Sequence, residues 1–151
     1  MITLNQVITN LSNIQSAHGQ LNEFFFGENW DFGASGDIKY PAMAVDLEPA
    51  NLQSSILIRS FRIYVMTQVQ KDITDRQEAL SDMELIALDI IAQLDSPDYT
   101  EWNMDLSNIV LNDFRDDRDA ELTGYWFNIR LRILNPMDRC QIPLTDTIVI
   151  K

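Results

Sequence analysis

The chain has 151 residues, 46% of them apolar, which suits one domain with a core that needs no covalent staples. Its 23 acidic against 11 basic side chains leave a formal charge of −12, and such a surface repels phosphate backbones, which argues against nucleic acid held as a ligand. One cysteine, Cys140, excludes an internal disulfide, and no stretch approaches the roughly 18 apolar residues of a membrane span.

The first residues, Met1-Ile2-Thr3-Leu4-Asn5, carry neither a basic region nor a long apolar run, so the expectation is a soluble protein made in the cytoplasm. Thr3 is placed to cap a helix whose apolar positions Leu4, Val7, Ile8, Leu11 and Ile14 follow the three-and-four spacing of one buried stripe. Ala17 and Leu21 extend the stripe, with Gly19 as its end or bend. Phe24-Phe25-Phe26 follows, and three adjacent rings cannot share one helix face. At least one of them is expected to point at another element or another subunit.

Residues 27–40 (GENWDFGASGDIKY) hold three glycines and no period, which predicts a long loop. Trp30 and Phe32 either fold back over the core or meet another subunit. Pro41 opens a short strand, Ala42–Leu47, and Glu48-Pro49-Ala50-Asn51 turns the chain. A longer strand is predicted over Ile56–Gln70. One face is Leu57, Phe61, Ile63, Val65 and Val69; the other mixes Ile58, Ser60, Arg62, Tyr64, Met66 and Gln68. This alternation suits a sheet with one core face and one face that is wet or meets a partner.

Thr74 with Gln77 has the pattern of a capping box, and the helix behind it puts Leu80, Met83, Ala87, Ile90, Ile91 and Leu94 on one stripe before Ser96-Pro97. A strand over Trp102–Phe114 and its hairpin partner over Leu122–Leu134 come next. The connection Arg115–Glu121 is strongly charged and projects into solvent. Pro136 and Pro143 then keep the chain extended, and Thr147–Ile150 forms a short apolar strand suited to a neighbour's sheet. The two halves share an order of elements, without residue-level identity. The fold class is α+β: two amphipathic helices on a mostly antiparallel sheet with long strands. Residues 1–135 form a single domain and 136–151 an extended C-terminal arm.

Catalytic chemistry is sparse. His18 is the only histidine, so zinc-protease spacing is impossible and a Cys–His pair would require Cys140 to meet His18 through the fold. The acidic hairpin (Asp113, Asp116, Asp117, Asp119, Glu121) fails as a calcium loop, because its sixth residue is Arg118 where glycine is needed. Phosphate-cradling and dinucleotide glycine motifs are missing, and Asp146-Thr147-Ile148 lacks the glycine of an aspartic-protease turn. No cofactor is expected. Arg62, Arg130 and Arg132 fall opposite the apolar face and form a basic stripe if their strands are neighbours. They pair with carboxylates of their own chain, with an adjacent subunit, or with nucleic acid, in that order.

With these elements laid out, the chain resembles the tail-terminator and head–tail joining (neck) proteins of tailed bacteriophages. The resemblance lies in the order of the amino-terminal helix, the strand pair ending in Ile56–Gln70, the Thr74–Leu94 helix and the Trp102–Leu134 hairpin. It implies a non-enzymatic virion protein, assembled in the host cytoplasm into a six- or twelve-fold ring that contacts adjacent portal, connector or tail proteins. DNA passes through the lumen only in transit, and no membrane is involved. Candidate intersubunit residues are Phe24, Phe25, Phe26, Trp30 and Phe32 for one patch. Arg62, Arg130 and Arg132, or Asp116, Asp117, Arg118 and Asp119, make the other. Two alternatives remain: a binding module that captures a protein through the 27–40 loop, and a metal-dependent enzyme built on the acidic hairpin.

Overall fold

The computed structural model describes residues 2–27, 39–69, 73–116 and 122–134. Helix α1 (Leu4–Ala17) opens with a complete capping box. The Gln6 amide N–H donates to Thr3 Oγ1 (3.2 Å), and Gln6 Oε1 accepts from the Thr3 N–H (2.8 Å). At the other end the His18 N–H donates to the carbonyls of Ile14 and Gln15, so the helix closes just ahead of Gly19. Val7, Leu11 and Ile14 are buried, as their spacing requires.

Phe24-Phe25-Phe26 belongs to a strand, β1 (Glu23–Phe26), which runs parallel to β2 (Ala42–Leu47). The alternation of a strand resolves the three-ring problem. Phe24 packs into the helix-side core, Phe25 joins a cluster on the opposite face, and Phe26 lies exposed at the edge. The parallel pairing also accounts for the long connection. Two parallel neighbours cannot be joined by a tight turn, so the chain must travel back from Phe26 to the start of β2.

β3 (Asn51–Gln53) turns into β4 (Ile56–Gln68), which precedes helix α2 (Ile73–Leu94), β5 (Asn103–Met104), β6 (Asn112–Asp116) and β7 (Leu122–Leu134). The single strand predicted over Trp102–Phe114 is in fact two. Between them the Asp105 carboxylate accepts from both the Ser107 N–H (3.0 Å) and the Ser107 hydroxyl (2.6 Å), a local turn that carries the chain out of the ladder. The predicted strands at 42–47 and 122–134 and the helix ending at Leu94 match the observed elements. The predicted tail strand Thr147–Ile150 and the C-terminal arm lie outside the described residues.

Among the described residues the strands form one seven-stranded sheet in the order β1-β2-β4-β7-β5, with β3 on β4 and β6 on β7. Its centre is the antiparallel pair of β4 and β7, thirteen residues each, in register from Ile56↔Leu134 to Gln68↔Leu122. The halves have matching topology. β2 and β3 pair successively with the far and near parts of β4; β5 and β6 do the same with β7. Each half is thus a helix, a broken strand and a long strand, and the long strands meet in the middle.

Both helices cover one face of the sheet. There Met43, Val45, Phe61, Ile63, Val65, Phe127, Ile129, Leu131 and Ile133 pack with Val7, Leu11, Met83, Ile86, Ala87, Ile90 and Leu94. Each of the larger side chains among them, all but Ala87, stabilises the fold by about 1.5–3 kcal/mol through its burial. Trp102 locks the end of α2: its indole N–H donates to the Leu94 carbonyl (3.0 Å), and its ring stacks on Tyr99 at 4.8 Å. One backbone approach is unusually close. A Cβ on Gly124 would run into the Val65 carbonyl and lie 2.9 Å from the Met66 Cα.

The opposite face is divided. Near Met66 it carries a second buried cluster of Ala42, Ala44, Met66 and Leu122 with Phe25, Tyr64 and Phe114 against it. Tyr64 and Phe114 meet edge to face at 5.9 Å. Among the described residues this covering stops towards the other end of the central strands.

Candidate assembly surfaces

Even positions of β4 and β7 set the outer face of the sheet in rows: Tyr64 beside Trp126, Arg62 beside Asn128, Ser60 beside Arg130, Ile58 beside Arg132 and Ile56 beside Leu134. The three predicted arginines therefore do share one stripe. Arg62 places its Cζ over the Trp126 ring, 4.5 Å from the centroid, with Nε 3.2 Å from Glu48 Oε1 and 3.5 Å from Asn128 Oδ1. A hydrogen bond to Tyr64, then the fields of Tyr64, Glu48 and Asp46, raise its pKa further against the lowering effect of burial. Arg130 bonds Asp105 (2.9 Å). The Asp105 carboxyl is held below its ordinary range, first by the Ser107 hydroxyl and N–H and then by Arg130 and Arg132. Two members of the stripe are thus satisfied within the chain by loop carboxylates. Arg132 is exposed and has no ion pair among the described residues.

Beyond Arg132 the face turns apolar. Ile56 and Leu134 are directly opposite one another and exposed, Leu134 by 67%, with Ile58 half-buried behind them. Among the described residues this end of the sheet pairs an exposed apolar row with an exposed cation that acts on Asp105 through space and makes no ion pair.

The other outer surface belongs to α2. Met83, Ile86, Ala87, Ile90 and Leu94 face the sheet, which turns Ser81, Leu85, Leu88 and Ala92 outward along one line. Leu85 is 59% exposed and Leu88 47%. Glu78 and Asp89 flank the line on one side and Glu84 on the other, all exposed. Sequence reasoning had assigned α2 only its buried stripe. Leu85 and Leu88 fall off that stripe by the same 3.6-residue period, and that was the available signal.

Elsewhere, His18 ties the helices together. Its Nδ1 accepts from the Gln20 N–H (3.1 Å), so Nε2 carries the proton donated to Asp89 Oδ2 (3.0 Å). Arg76 reaches Asp113 at 3.5 Å, joining α2 to β6. Burial, then the carboxylates of Glu84 and Asp113, push the neighbouring Tyr125 phenol up, with Arg76 opposing, so it stays neutral. A cleft of about 790 Å³ between α2 and the ends of β4 and α1 presents Asp75, Glu78 and Asp82. No three His, Cys, Asp or Glu side chains among the described residues are grouped to hold a metal ion. No described helix is long and apolar enough to cross a membrane.

Of the predicted interface residues, Phe24 and Phe25 are half-buried within the chain and Phe26 is exposed. Trp30, Phe32, Asp117, Arg118 and Asp119 lie outside the described residues, as does Cys140. Asp116 ends β6, and its side chain is not among those described. Compared with models of known protein families and with curated proteins, the chain gives no match.

Proposed function

We propose that this protein is a non-catalytic subunit that assembles with copies of itself into a closed ring at the head–tail connection or tail end of a tailed bacteriophage. The observation that supports this reading best is the exposure of apolar side chains on both outer layers of a two-layer molecule. Leu85 and Leu88 project from the helix layer, Ile56 and Leu134 from the sheet layer. A closed ring requires two different patches on each subunit, whereas a two-fold dimer requires one patch that matches itself. The order of elements, which resembles that of tail-terminator and neck proteins, supports the virion context. The charge of −12 suits a channel wall along which DNA moves without sticking.

The test is size-exclusion chromatography with light scattering, followed by negative-stain imaging. The expected result is a discrete species several times the 17.4 kDa of one chain, with annular projections. A protein that stays at the mass of one chain at high concentration refutes the reading.

A further inference from the structure

We infer that the outward line of α2 in one copy docks against the exposed apolar end of the sheet in the next, so that copies associate helix to sheet around the assembly. This rests on the ring reading and adds to it the identity and polarity of the contact.

The two patches are complementary in both of the properties that select a partner. Each has an apolar centre: Leu85 and Leu88 on α2, Ile56 and Leu134 on the sheet. Their rims carry opposite charge. Glu78, Glu84 and Asp89 surround the leucines, whereas Arg132, beside the Arg130–Asp105 pair, borders the Ile56–Leu134 row. A helix patch meeting another helix patch would set acidic rims against each other, and two sheet ends would oppose Arg132 to Arg132. Both like-with-like arrangements are repulsive, which leaves helix to sheet as the favoured contact. The occupant of each patch is therefore a second copy of this chain, not a foreign surface.

Arg132 is the particular residue this assigns. Arg62 is held by Glu48 and Trp126 and Arg130 by Asp105; Arg132 acts on Asp105 only through space and makes no ion pair among the described residues, so its guanidinium donors are open to a further acceptor. The carboxylates of Glu78 and Glu84 supply that acceptor, since Asp89 already engages His18.

Complementation between two full-length variants tests the contact. The helix-blocked variant carries Leu85→Arg and Leu88→Arg; the sheet-blocked variant carries Arg132→Glu and Leu134→Glu. All four positions are exposed, and circular dichroism with thermal melting verifies that each variant folds. Each alone is expected to associate at least about thirtyfold more weakly than the unaltered chain, the scale of a lost central anchor. Mixed in equal amounts they should form a two-chain species, because the unaltered helix of one still meets the unaltered sheet end of the other while the remaining two faces stay blocked. The single change Arg132→Glu provides a milder check, with weakening partly reversed by Glu84→Arg in the mixed partner. If the unaltered protein assembles and both variants assemble equally well, these faces have another occupant and the inference is overturned while the ring reading stands. Two blocked variants that fail to recover on mixing also overturn it. An unaltered protein that never associates overturns the ring reading itself.

Discussion

At the scale of single residues, the structure contains several polar groups that are fully employed. Asp105 is the clearest. Its carboxylate receives Ser107 twice and Arg130 once, and these bonds favour its charged form. A carboxyl whose folded pKa is depressed adds stability that is complete above the unfolded value, here 3.8, and disappears as pH falls through the folded value. The unaltered protein is therefore expected to lose stability in acid, below about pH 4, more steeply than Asp105→Asn. Urea unfolding at a series of pH values measures this; parallel curves for the two proteins would refute it. Arg62 is satisfied differently, by a place over the Trp126 ring beside a carboxylate and an amide oxygen, whose several acceptors a lysine could match only in charge.

At the scale of elements, strand alternation and helical period in the sequence were sufficient for β2, β4, β7 and the two helices, because each buries one face against the other layer. Three features were not legible, each for a physical reason. The Phe24–Phe26 run looked like a problem for a helix, since a four-residue strand gives too few alternations to announce itself. The break between β5 and β6 hid in a short slip of phase: Trp102 and Met104, at even positions, and Ile109 and Leu111, at odd ones, all pack against the same core. Asp105 with Ser107 marked the turn between them. The exposure of the Ile56–Leu134 row depends on which strands cover which, and that is a property of topology. Gly124 belongs to this scale as well. Its lack of a side chain lets β7 come close to β4 at Val65 and Met66. The obstructing atoms are backbone and cannot rotate away, so Gly124→Ala is expected to destabilise the fold by about 1–3 kcal/mol through displacement of the central pair. Chemical denaturation gives the value directly, and an unchanged midpoint would contradict the close approach.

At the scale of the whole molecule, net charge and patch charge act over different distances. Each copy carries −12, so two copies repel at long range, while the acidic rim of α2 and Arg132 attract only near contact. Screening reaches about 30 Å at 0.01 M salt and about 8 Å at 0.15 M. Moderate salt removes the long-range repulsion and spares the close attraction. Self-association is therefore expected to strengthen between those two concentrations and to weaken again near 1 M, where screening is about 3 Å. Sedimentation velocity across the series reads the trend. A steady decline from the lowest salt would mean that the rims, not the overall charge, control encounter.

The β4–β7 ladder has a consequence for how the protein is made. It joins residues 56–68 to residues 122–134, so the first of these strands leaves the ribosome long before the second exists. Until the final hairpin emerges, the nascent chain holds a thirteen-residue strand with one whole edge bare, and α2 can shield its greasy side but not its open hydrogen bonds. On a crowded polysome the same edges of neighbouring nascent chains are within reach of each other. The yield of correctly folded subunits is then governed by a race between closure of that last hairpin and mispairing with another copy.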